Sequence, residues 1–141
     1  MDESYAVIVG FDGNDDVSSV VIPQKIEEYD VKIIKEGAFA RKYNLTEISI
    51  PDGVVTIEEA AFASCNIENL YIPASVSYIG DGAFGGCSNL KSITVDENND
   101  FYDSRNDCNA IVEKKTDTLI CGCINTVIDS SVTCIGNCAF F

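Results

Sequence analysis

The sequence predicts an α/β solenoid, a chain coiled into stacked layers of short parallel strands and short helical or 3-10 turns, mostly β and coil. Three observations lead there. Apolar residues recur in fixed columns, Phe residues close successive units at spacings of 23 and 22 residues, and Pro follows the strand in three consecutive units. Self-similarity at a short fixed period is the mark of a repeat architecture.

The columns run the length of the chain. Val17, Leu45, Ile67, Leu90 and Cys123 share one position; Val20, Ile48, Leu70, Ile93 and Thr126 follow three residues later; Ile22, Ile50, Ile72, Val95 and Ile128 follow two beyond that. This L-x-x-I-x-I strand turns alternate residues inward. Pro23, Pro51 and Pro73 then end it, because proline has no N–H for a ladder. Val31, Val54, Val76 and Val132, each with an Ile three residues on, form an opposite wall. Ala-Phe pairs at 38–39, 61–62, 83–84 and 139–140 close the units. Each layer has an apolar face that only its neighbours can bury, and each buried Ile, Val or Phe contributes roughly 1.5–3 kcal/mol.

In chain order, residues 5–22 read as an N-terminal hairpin cap, two apolar runs joined by the turn Asp12-Gly-Asn-Asp-Asp16. Repeats follow near 17–44, 45–66 and 67–89. The first carries about five extra residues, Ile26-Glu-Glu-Tyr-Asp30, expected as a loop on one edge. Residues 90–122 form a long variant unit, since the Phe column is not reached again until Phe140, 56 residues after Phe84. Within it, 110–113 and 118–121 read as a hairpin with a four-residue turn. Residues 123–141 are an incomplete last repeat, and the whole chain 1–141 is one domain.

The period lies in the range of leucine-rich repeats. Moreover, I-P-x-x-V-x-x-I-G-x-x-A-F with Cys three after Phe resembles the BspA-type leucine-rich repeat family. Ile72 to Cys87 fit the pattern; Ile50 to Cys65 carry Glu58 for Gly, and Ile128 to Phe140 carry Asp129 for Pro. The resemblance implies a bacterial or protist surface protein, secreted or at the cell surface, that recognises or adheres to proteins such as host matrix components. It brings no catalytic residues and no cofactor. The start of this chain, Met1-Asp-Glu-Ser-Tyr5, lacks the basic and apolar regions of a signal peptide, which leaves a cytoplasmic setting open.

Composition narrows the partners. Net charge is −14, with nine Lys and Arg, which excludes a nucleic-acid surface and disfavours anionic membranes. No apolar run reaches the ~18 residues of a membrane span. There is no His, so no Ser-His or Cys-His pair exists, and acidic pairs sit in turns where nothing would raise a pKa. The reading is non-enzymatic.

The outward residues of the strand ladder are the candidate ligand-binding surface, on the face expected to be concave: Ser19, Val21, Glu47, Ser49, Asn69, Tyr71, Ser92, Thr94, Asn125 and Val127. Only Glu47 is charged, and Tyr71 is the natural anchor. The ordinary alternative is a solvated strand face. Two further readings stand beside it. One makes the chain a structural segment of a longer repeat array. The other makes it a small metal-binding module through Cys121, Cys123, Cys134 and Cys138, although their columns point in divergent directions. The acidic turns at 12–16 and 96–100 contain hard oxygen ligands but fail the EF-hand pattern. The seven Cys are expected to be reduced and mostly buried, with Cys134 and Cys138 the more exposed. Self-association is expected through an apolar last unit bearing Ile135, Phe140 and Phe141.

Overall fold

The computed structural model describes residues 4–14 and 16–140. Alternate inward columns generate two parallel ladders, and the core lies between them. The wall ladder is a sheet of β1 (Ala6–Ile8), β4 (Tyr29–Ile34), β6 (Thr56–Ile57) and β8 (Tyr78–Ile79), all parallel. The opposite ladder pairs β2 (Ser19–Val21) with β5 (Glu47–Ser49), and β7 (Asn69–Ile72) with β9 (Ser92–Val95), again in parallel. The Glu68 N–H donates to the Thr46 carbonyl at 3.0 Å, which carries the ladder from β5 to β7.

The columns bury as their spacing requires. Ile22, Ile50, Ile72 and Val95 are buried, as are Val31, Val54 and Val76, and Ile34, Ile57 and Ile79. Phe39, Phe62 and Phe84 stack ring on ring at 5.0 and 5.3 Å, close to the ~4.8 Å spacing of neighbouring strands. The Ala-Phe steps are i→i+3 turns rather than helices, with Ala61 N–H donating to Glu58 O and Ala83 N–H to Gly80 O. Each turn needs a left-handed residue, and Gly37, Ala60, Gly82 and Cys138 fill that place at φ of 63, 54, 61 and 56°. Among the described residues the single helical element is a 3-10 turn, Arg105–Asp107.

The N-terminal segment corrects the expected hairpin. β1 and β2 do not pair with each other: β1 lies beside β4 in the wall and β2 beside β5 in the opposite ladder. Two apolar runs and a turn fit a hairpin and a solenoid coil equally well, and burial against parallel neighbours on both walls decides for the coil. Phe11 joins the ring stack, 5.4 Å from Phe39. The extra residues of the first repeat form a small hairpin, β3 (Lys25–Ile26) against β4, closed by the Lys25–Asp30 ion pair at 3.0 Å.

The variant unit contains the expected hairpin, β11 (Ala110–Glu113) antiparallel to β12 (Thr118–Gly122). β10 (Tyr102–Asp103) lies antiparallel on β11, and β13 (Cys134–Ile135) runs parallel to β12. The Tyr102 hydroxyl accepts the Ile79 N–H at 2.9 Å, so β10 borders β8 by a side chain and not by a backbone ladder. Asn99, fully buried, anchors this junction. Its amide donates to Pro73 O and Val76 O, and its carbonyl accepts from Phe101 and Tyr102, all at 2.8–2.9 Å.

The last unit departs from its columns. Ile128, expected inward, is 53% exposed, and no strand forms over 124–128. The segment starts as a ladder strand, with Ile124 N–H donating to Leu90 O, but Val127 N–H then turns to Cys108 O. The wedge of β10 and β11 draws the backbone partners away.

Candidate binding surface

Strand alternation sets the surface. β2, β5, β7 and β9 place Ser19 beside Glu47, Val21 beside Ser49, Asn69 beside Ser92 and Tyr71 beside Thr94. Seven of these eight side chains are exposed and Ser92 is half-buried. Asn125 and Val127 are exposed too, yet they do not extend the ladder, because they lie in no strand. Asn125 instead uses its side-chain amide on the Lys91 carbonyl at 3.0 Å. The expected ten-residue strip is therefore an eight-residue strip with a separate edge.

Its polar groups are already bonded to one another. Ser92 Oγ donates to Asn69 Oδ1 at 2.7 Å. The Tyr71 hydroxyl is bonded to Asp96, and that bond pushes the phenol up to about 12 while holding the Asp96 carboxyl below its usual range. The backbone and side chain of Asn98 also donate to Asp96. Tyr71 thus presents a ring, 47% exposed, with its hydroxyl fixed at one end. An ion pair between layers at the edge of the strip, Lys91–Glu68 at 3.0 Å, takes two charges out of play there. An exposed strand face with one oriented ring suits a macromolecular partner better than a small molecule, which favours an enclosing pocket.

The cavities lie elsewhere. One of about 650 Å³ sits against the wall sheet and is lined by Tyr5, Lys32, Ile33 and Thr56. Reading 5–22 as a hairpin hid it, although Ile8-x-x-Phe11 repeats the Ile-to-Phe step at a shorter spacing. Another, of about 360 Å³, lies between Phe84 and the last unit.

All seven cysteines are free thiols: Cys65, Cys87, Cys108 and Cys121 are buried, and Cys134 and Cys138 are exposed. Cys65 donates to Phe39 O at 3.1 Å and Cys87 to Phe62 O at 3.2 Å, each bonding the layer below. Burial pushes Cys65 up to about 11 and Cys87 and Cys121 to about 12, which makes them poor ligands and nucleophiles. Among the described residues no three Cys, Asp or Glu converge on one point. In the turn 96–100, Asn99 is turned into the core and Asp96 toward Tyr71, so its oxygens diverge. The turn at 12–16 contains Asp15, which lies outside the described residues.

Residues 10–110 match the BspA type leucine rich repeat region, in six copies. No curated protein matches the chain. A leucine rich cell surface protein from Faecalibacterium prausnitzii is similar at 31% identity and a TM-score of 0.66, over 76% of this chain and 27% of its own. The pneumococcal vaccine antigen PcpA shares the fold at 21% identity and 0.74, over 89% and 31%. A leucine-rich repeat protein from Eubacterium ventriosum does so at 18% and 0.50, over 94% and 49%. The chain spans less than half the length of each.

Proposed function

The chain belongs to the BspA-type leucine-rich repeat family, and from that premise we propose that it is a recognition or adhesion module that works at a bacterial surface and binds a protein ligand. The contact surface is the strip from Ser19 and Glu47 to Ser92 and Thr94, with Tyr71 at its centre. One observation carries this reading: a tyrosine ring is held outward by its own hydroxyl bond, beside bonded small polar groups, on a rigid ladder. Such a ring loses little freedom on binding, which is why Tyr is favoured in interfaces. The surface setting is supported by the family and by the 31% identical cell surface protein.

A panel of immobilised host matrix proteins and glycans, probed with wild type, Tyr71→Ala and the off-strip control Tyr43→Ala, tests the reading. Binding to one member, lost in Tyr71→Ala and kept in Tyr43→Ala, is the expected result. Binding that survives Tyr71→Ala unchanged refutes the strip.

A second reading is favoured by the last unit. Ile128, Ile135 and Phe140 are each about half exposed, whereas their upstream equivalents are buried. Self-association through this face follows; Phe141, also expected there, lies outside the described residues. Sedimentation at rising concentration should show a dimer or larger species, and a clean monomer contradicts it.

A further inference from the structure

The ring stack has a missing member. Phe11, Phe39 and Phe62 each donate their N–H to the alanine carbonyl of the next layer, Ala38, Ala61 and Ala83. Among the described residues one other makes this bond to the alanine that precedes a column phenylalanine. Gly122 donates to Ala139 O at 2.7 Å, just before Phe140. The wall register agrees: Lys35 N–H donates to Ile8 O, and Gly136 N–H to Leu119 O, both at 2.8 Å. Leu119 therefore stands in the column of Ile8, and Gly122 stands three residues on, where Phe11 stands. The variant layer has a glycine where the stack calls for a phenylalanine.

The turns that flank the variant layer meet, a Cβ added at Gly82 lying 3.6 Å from Cys138 Cβ, but the space behind them is not filled. Phe140 leans into part of it, and a Cβ added at Gly122 would meet its ring at 2.2 Å. A cavity of about 360 Å³ remains, lined by Phe84, Phe140, Cys87, Ser88, Cys123 and Ile124. In a chain of net charge −14, none of its lining residues is charged. The occupant that complements it is uncharged and apolar, and the periodicity of the column sets its shape: one planar ring. An aromatic ring gains from offset stacking on its neighbours beyond its buried area.

We propose that the vacant layer of the phenylalanine column, between Phe84 and Phe140, receives an aromatic side chain of a protein ligand. This rests on the reading of the chain as a protein-recognition module, and it adds an anchor site distinct from the Tyr71 strip. Gly122 and the variant unit together then have a purpose: they open one layer of an otherwise filled column.

The chain has no tryptophan, so the fluorescence of N-acetyl-tryptophanamide can be followed in its presence without protein indole background. The wild type should give a saturable blue shift that N-acetyl-leucinamide does not displace. Phe140→Ala, at an exposed position where folding is checked by circular dichroism, should weaken the response at least fivefold. A linear response, a loss smaller than fivefold, or displacement by the leucine analogue overturns the proposal. So does free indole binding more tightly than the amide, which would make the occupant a small molecule. Because the probe is free, failure here leaves the Tyr71 strip standing, and failure of Tyr71→Ala in the panel leaves the slot standing.

Discussion

Residues 31–95 and residues 96–140 are built from the same pattern and pack differently. In the first region the Val, Ile and Phe columns are buried layer on layer, and the rings of Phe39, Phe62 and Phe84 stack within 9° of parallel. In the second, a hairpin enters the wall, the column loses a ring at Gly122, and Ile128, Ile135 and Phe140 are about half exposed. The side chain alone does not decide burial in a solenoid; the continuity of the layer beneath it does. Polar anchors replace stacking where layers part. Asn99 bonds the junction, and Arg105 holds Asp103 at 2.8 Å and Asp117 at 2.6 Å within the variant unit while it reaches Ser131 of the last repeat at 3.0 Å.

The sharpest way to break the comparison is to remove one ring from each region. Phe62→Ala, fully buried between two rings, should lower unfolding free energy by about 4 kcal/mol, a typical value for a buried aromatic. Phe140→Ala should change it by less than about 1 kcal/mol. Equal losses on urea denaturation would mean that the last unit packs as tightly as the rest.

The junction comes next. Asn99→Ala strands two buried carbonyls and two amides, and should cost about 3 kcal/mol. Arg105→Ala should cost about 1.5 kcal/mol, in keeping with its partly exposed partners, and the loss should shrink in high salt. A loss insensitive to salt would assign Arg105 to packing instead.

Acid should act most on the anchored turns. Bonds from Ser131 and Asn106 hold Asp129 at about 2, and Asp30, Glu58 and Asp96 are lowered by Lys25, Lys35 and Tyr71. A carboxylate whose folded pKa lies below its unfolded value stabilises the fold above about pH 4 and loses that contribution as the pH falls toward about 2. Thermal melting at stepped pH should therefore show a plateau at neutral pH and a fall between about 4 and 2. A maximum within that acid range would contradict it.

The smallest effect is at the turns. Ala60 occupies the left-handed place that Gly37 and Gly82 fill, so Ala60→Gly should raise stability by up to about 1 kcal/mol. A loss of stability would show that the Ala60 methyl contributes packing that outweighs the strain.

Sequence made the regular layers legible because each column position has one environment. The Val, Ile and Phe columns of residues 31–95 could be assigned to the core without coordinates, and so could the buried Cys65 and Cys87. The same logic overreached in two places. At the N-terminus, alternation could not distinguish a hairpin from a coil, and Phe11 went unrecognised since its unit is two residues shorter between Ile and Phe. At the C-terminus, Ile128 and Val127 fit the pattern, but the pattern contains no information about whether the layer below is in reach. The strip residues Asn69, Tyr71, Ser92 and Thr94 followed directly from alternation. The bonds that orient them, and the vacancy at Gly122, depend on contacts between layers that no single unit encodes.

Hydrogen exchange followed by mass spectrometry tests the contrast between the regions most directly. Peptides covering Phe39, Phe62 and Phe84 should exchange together and slowly, as one cooperative unit. Peptides from 123–140 should exchange much faster, with Asn99→Ala speeding exchange in 96–122 and leaving 31–72 unchanged. Uniform exchange along the chain, or a slow last unit, would show that the layers form a single continuous stack and that the break at the variant unit is not there.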